Sequence, residues 1–98
     1  MWRHGDVMIC AAPNIPKGTR HRHTPILVRG EMTGHSHRIE APETIEVWEY
    51  AGELFIKVVA PSARVIHEEH QPITLPRGIY RVWQQREYTP SAIRRVVD

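Results

Sequence analysis

The chain has 98 residues, 41% hydrophobic and 24% charged, with a formal net charge of +2. That length makes one domain, residues 1–98, with a core of modest size; the composition excludes a low-complexity or disordered chain, and so small a charge is no nucleic-acid signature by itself. No apolar run approaches a membrane span, no signal peptide is expected behind Met1-Trp2-Arg3-His4-Gly5-Asp6, and a single cysteine, Cys10, excludes an internal disulfide and suits a reducing cytoplasm.

In chain order, the pattern is one of short strands. Breakers, 8 prolines and 6 glycines, recur throughout, and no long window has helical periodicity. Strands are expected at Asp6–Ala12, Pro25–Arg29, His35–Glu40, Thr44–Tyr50, Glu53–Ala60, Ala63–His70, Ile73–Leu75, Gly78–Glu87 and Ile93–Val97. Cys10 reads as a small buried hydrophobe in the first of them. Residues 13–25 read as a long basic loop, functional or disordered. In Thr44–Tyr50, Ile45 and Val47 face one way and Glu46 and Trp48 the other; Ala51-Gly52 turns the chain back as a hairpin. Pro61-Ser62 and Pro76-Arg77-Gly78 read as further turns. The expected fold is all-β with little or no helix: a small antiparallel β-barrel or two-sheet sandwich.

Four of the 7 histidines fall in two short runs, Gly34-His35-Ser36-His37-Arg38-Ile39-Glu40 and His67-Glu68-Glu69-His70. Imidazole is the commonest protein ligand for transition metals. On a strand, His35 and His37 point to one face about 6.5 Å apart, a spacing from which both rings converge on one ion. His67 shares a strand face with Val65; His70 joins it only where the strand ends or bulges, so His67 is the stronger candidate. Glu40 is a ligand only across a bulge. Glu68 and Glu69 are candidates for a carboxylate ligand, an imidazole partner or a general base. The competing interpretation is that these histidines are solvated or hydrogen-bonded at a polar rim. His4, His21 and His23 read as solvated or anion-contacting.

The chain resembles the cupin superfamily, small jelly-roll-like double-stranded β-barrels. Gly30, His35, His37 and Glu40 are similar to its first motif, and Pro76-Arg77-Gly78 with His67 or His70 to its second. Glu40 follows His37 sooner than in that pattern, and both later histidines precede the Pro-x-Gly turn. The resemblance implies a first-row divalent metal (zinc, nickel, iron or manganese) and chemistry ranging from dioxygenation to isomerisation, or ligand sensing.

Three functions compete. The first is a metal-binding β-barrel, an enzyme or not, acting on a small polar substrate whose anionic group Arg29, Arg38 or Arg81 would hold. The second is a nucleic-acid or phosphate module using Lys17–His23 and Arg94-Arg95, with Trp83 and Tyr88 as stacking partners; the low charge disfavours it. The third is a self-associating accessory protein, a homodimer through exposed edge strands and aromatics such as Trp2, Trp48 and Trp83.

Overall fold

The computed structural model describes residues 1–29, 34–50, 52–88 and 93–95, with backbone pairing alone for 86–88 and 93–95. Gly30, Ala51, Thr89, Pro90 and the end of the last expected strand, Val96-Val97, lie outside the described residues. The elements are β1 (Trp2–His4), β2 (Val7–Ala11), β3 (Arg20–Arg22), β4 (Ile26–Arg29), β5 (Ser36–Ile39), a 3-10 turn (Pro42–Thr44), β6 (Ile45–Tyr50), β7 (Glu53–Ile66), β8 (Ile73–Gln84), β9 (Arg86–Tyr88) and β10 (Ile93–Arg95). The expected all-β character is what the structure has: the 3-10 turn is the sole helical element among the described residues, and no helix is long and apolar enough to cross a membrane.

All pairings are antiparallel, and the main sheet stays open. Its path runs β1-β2-β8-β7-β5-β4, with β6 and then β3 attached to β7. The first half of β7 pairs with β6, and its second half with β5. β7 and β8 therefore belong to two layers at once.

The alternation explains which faces are buried. Val7 and Ile9 of β2, Val47 of β6, and Leu54, Ile56 and Val58 of β7 form the core with Val82 and Tyr80 of β8. Past Val58 the phase changes: Ala63 and Val65 are buried on β7, and Leu75 on β8. The register shows why. Val58 faces Gly78 but Ser62 faces Pro76, so four steps on β7 match two on β8. The extra residues are a bulge, which bends a strand and deepens its twist.

Two expected turns are thereby corrected. Pro61-Ser62 and Pro76-Arg77-Gly78 do not end strands; they face each other across one ribbon and bend it. Proline lacks a donor for the ladder and sits at such irregularities. Gly78 supplies φ +154°, a backbone state closed to other residues, and the Tyr80 hydroxyl donates to the Pro76 carbonyl at 2.6 Å, tying the bend. A further correction falls in residues 13–25: Arg20–Arg22 form an edge strand on β6, with His21 against Trp48 at 4.5 Å between ring centroids. Cys10 is half-buried rather than core.

The bend is sharp. A straight β8 would put Ile73 about 36 Å from Gln84. Yet His4, whose strand neighbour Val7 pairs with Gln84, hydrogen-bonds the Gln71 carbonyl at 2.9 Å just ahead of Ile73. The β7–β8 tip has folded back onto the β1–β2 turn. Gly78→Ala should therefore destabilise the protein by about 1–3 kcal/mol, the cost of forcing a side chain into that backbone region; urea unfolding measures it, and an unchanged midpoint would mean the bend does not need glycine.

Candidate metal centre

The fold-back gathers five histidines. His4 ends β1, His35 precedes β5, His37 lies on β5, and His67 and His70 sit in the β7–β8 connection. The His37 ring lies 4.4 Å from His67 and 5.6 Å from His70 between centroids, and His35 lies 5.6 Å from His67. The two histidine runs, distant in sequence, thus meet, with His67 beside both His35 and His37 as expected; but His35 precedes the strand instead of sharing it with His37, and the two fall in different candidate sets. His70 joins on equal terms, 4.6 Å from His67, because β7 ends at Ile66 and the chain turns freely beyond it.

One nitrogen each from His37, His67 and His70 lies within 4.8 Å of the others; a second such set is His35, His67 and Glu68. A tetrahedral ion with bonds of about 2.0–2.1 Å needs nitrogens about 3.3 Å apart, so small ring movements complete the first set. A neutral imidazole has one lone pair, so the two sets share His67 as alternatives and not as a pair of ions.

His4 and Asp6 went unrecognised in the sequence. The expectation of a solvated His4 is wrong: it is 2% exposed, because β1 pairs with β2 and carries it under the folded-back tip. Its Nε2–H donates to the Gln71 carbonyl, so a neutral His4 presents its Nδ1 lone pair to His37, 2.8 Å away. His37 then donates from Nδ1 and turns Nε2 toward Asp6 Oδ1 at 3.3 Å, both side chains fully buried. Gln84 Nε2 donates to the other Asp6 oxygen, and Gln85 N–H to the Asp6 carbonyl. A buried carboxylate costs several kcal/mol unless so compensated. The signal available in sequence was Gly5 at φ 63° between His4 and Asp6, a turn residue, but nothing local says what the turn faces.

His67 accepts the Glu69 N–H at Nδ1 (3.0 Å), leaving its proton on Nε2. An ion at Nε2 requires that proton to leave or move to Nδ1. That hydrogen bond is worth about 1 kcal/mol, so giving it up would be a small cost to ligation.

The other expected site residues fall elsewhere. Glu40 joins neither set: its carboxylate, on the exposed side, meets Arg64 at 3.3 Å. Glu68 accepts the Ser36 N–H at 3.0 Å and pairs with Arg38 at 2.6 Å, which hold it down at about 2. So weak a base does not abstract protons near neutral pH, and Arg38 is committed to it. Glu69 lies 3.6 Å from His35 Nδ1 and orients His67 through its backbone. Arg81 is doubly bonded to Glu53 at 2.6 Å and lies over the Trp83 ring, away from the histidines on the outer face. Arg29 is exposed at the end of β4 beside Ser36, with no partner among the described residues.

A family model described as a domain of unknown function, DUF8820, matches residues 3–85. The chain belongs to that family. No curated protein and no solved structure matches it. The matched span of this DUF8820 domain contains every member of the cluster, from His4 to Gln84.

Burial, and next the neighbouring His37, push His4 from 6.5 down to about 4. The unfolded chain therefore takes up this proton first as pH falls. The stabilisation is complete above pH 6.5 and is lost between 6.5 and 4. For the metal-free DUF8820 domain, urea unfolding at pH 4.5 should show about 2.5 kcal/mol less stability from His4 than at pH 7.5. His4→Gln should flatten the pH-dependence by that share; an unaltered slope would show that His4 is not the group responsible.

Proposed function

We propose that this protein binds one divalent transition metal ion through His37, His67 and His70, with His35 and Glu68 as an alternative outer set. The observation that carries this reading is the convergence of three imidazole nitrogens from two separate chain segments within 4.8 Å, in a pocket where two of the three histidines are buried. Three neutral nitrogens and no thiolate suit zinc, nickel, iron(II) or manganese. His4 supports the same reading: by accepting the Nδ1–H of His37 it keeps that proton on Nδ1 and leaves the Nε2 lone pair for an ion. Asp6 offers the negative charge that offsets a cation. The likeness to cupins points the same way, to a first-row ion held by histidines on a β-scaffold.

The ion would act as an electrostatic anchor and Lewis acid for a small polar or anionic ligand. We place this activity in the cytoplasm, where the lone Cys10 stays reduced.

Because the ion would bind the folded chain far better than the unfolded one, added metal should raise the melting temperature by an amount that grows with the logarithm of its concentration relative to Kd. The gain should fade as pH drops below about 6.5 and protons compete for imidazole. His67→Ala, which removes the ligand both sets share, should abolish the gain, and His37→Ala and His70→Ala should each cut it sharply, whereas Glu40→Ala should leave it intact. A melting temperature indifferent to zinc, nickel, manganese and iron(II) sinks the proposal.

A further inference from the structure

A cleft of about 380 Å³ opens between the two layers, a volume within the range of small-molecule sites, about 300–1,000 Å³. Its walls come from both layers: Leu27 and Arg29 of β4, Arg22 of β3, Glu49 of β6, Leu54 of β7 and Gln84 of β8. It lies at the same end of the molecule as the histidine cluster. Two observations tie them. Gln84 lines the cleft and donates from its side-chain amide to Asp6. Val28, another lining residue, pairs across β4 and β5 with His37, and directly opposed residues share a sheet face.

The charges in the cleft do not balance. Glu49 faces Arg22 at 3.4 Å, a loose contact between half-exposed side chains. Arg29 has no hydrogen bond or ion pair to any described residue. Among the described residues one carboxylate thus answers two guanidinium groups, and Arg29 stands at the rim. Opposite it the floor is apolar, with Leu27 and Leu54 largely buried and Val82 fully so. A guanidinium at the rim over an aliphatic floor is complementary to a molecule with one anionic end and a short apolar body.

We propose that this cleft binds a small organic carboxylate, its anionic group on Arg29 with Arg22 alongside, and its apolar part against Leu27, Leu54 and Val82. Gln84 stands between such a ligand and the Asp6–His37 pair, so the ligand would sit one side chain away from an ion in the histidine cluster. That last relation rests on the metal-binding reading; the binding of the carboxylate does not.

The test is a two-dimensional ¹H–¹⁵N NMR titration of the metal-free protein with isovalerate and with benzoate, each against its uncharged amide. The acids should give saturable shifts at the backbone amides of Leu27, Arg29, Leu54 and Gln84. The amides should bind at least about tenfold more weakly, the loss expected for one charge-assisted contact. Arg29→Met and, separately, Arg22→Met should weaken the acids, Arg29→Met by about tenfold or more, while both keep the zinc-dependent rise in melting temperature. His37→Ala should do the reverse. Equal binding of acid and amide, shifts confined to other surfaces, or wild-type affinity in Arg29→Met would overturn the assignment. Carboxylate binding in a protein that ignores metals upholds the cleft and removes the metal reading alone; metal binding without carboxylate binding does the opposite.

Discussion

A ribbon of 14 and 12 residues per strand cannot bury its own apolar face while straight. The bend at Val58–Ser62 and Pro76–Gly78 solves that problem, and everything else in the molecule follows from it. One continuous hairpin supplies the middle of both layers, β6 and β2 extend one half, and β5 and β4 extend the other. The bulge resets the inward phase from Ile56 and Val58 to Ala63 and Val65, so both halves present aliphatic side chains to the same interior. Tyr80, bonded to Pro76 and in edge contact with Trp2 at 5.4 Å, joins the bend to the first strand.

The same fold-back creates the polar cluster. It brings His67, His70 and Gln71 over β1 and β5, where the chain Gln71–His4–His37–Asp6–Gln84 runs from the tip of the ribbon to the end of its second strand. Hydrogen bonds join Gln71 to His4, His4 to His37 and Gln84 to Asp6, which is what low dielectric surroundings demand of buried polar groups. The cluster is thus a latch between layers as well as a set of ligands. Its two roles differ in their requirements: the latch is complete with protons, while ligation requires His67 to shift its proton and give up the Glu69 N–H.

Charge placement divides the molecule's arginines by role. Arg38, Arg64 and Arg81 each meet a carboxylate on a neighbouring strand or connection and act as cross-strand ties, modest in value at an exposed surface. Arg29 has no such partner among the described residues and lines a cleft. The distinction is invisible in composition, where all of them count alike toward +2.

The strand-rich fold was legible because period-2 alternation and regularly spaced breakers are local properties; β2, β4, β5 and β6 fall within two residues of their expected bounds. The meeting of His37 with His67 was legible too, since each was expected on the inward face of a strand; that His35 falls outside its strand was not. What local pattern did not contain is whether a proline breaks a strand or bends it. Pro61 and Pro76 look the same in either case; their pairing across the ribbon, through Ser62 and Pro76, makes them a bend. His4 is covered by Gln71 through that bend, and Asp6 meets Gln84 through the β2–β8 ladder; both partners lie more than sixty residues away in sequence. The sequence by itself determined the strands, the histidine pairs and the absence of thiolate ligands. Only the tertiary structure decided which histidines share a pocket, since long-range fold-back is set by core packing across the whole ribbon and not by any segment within it.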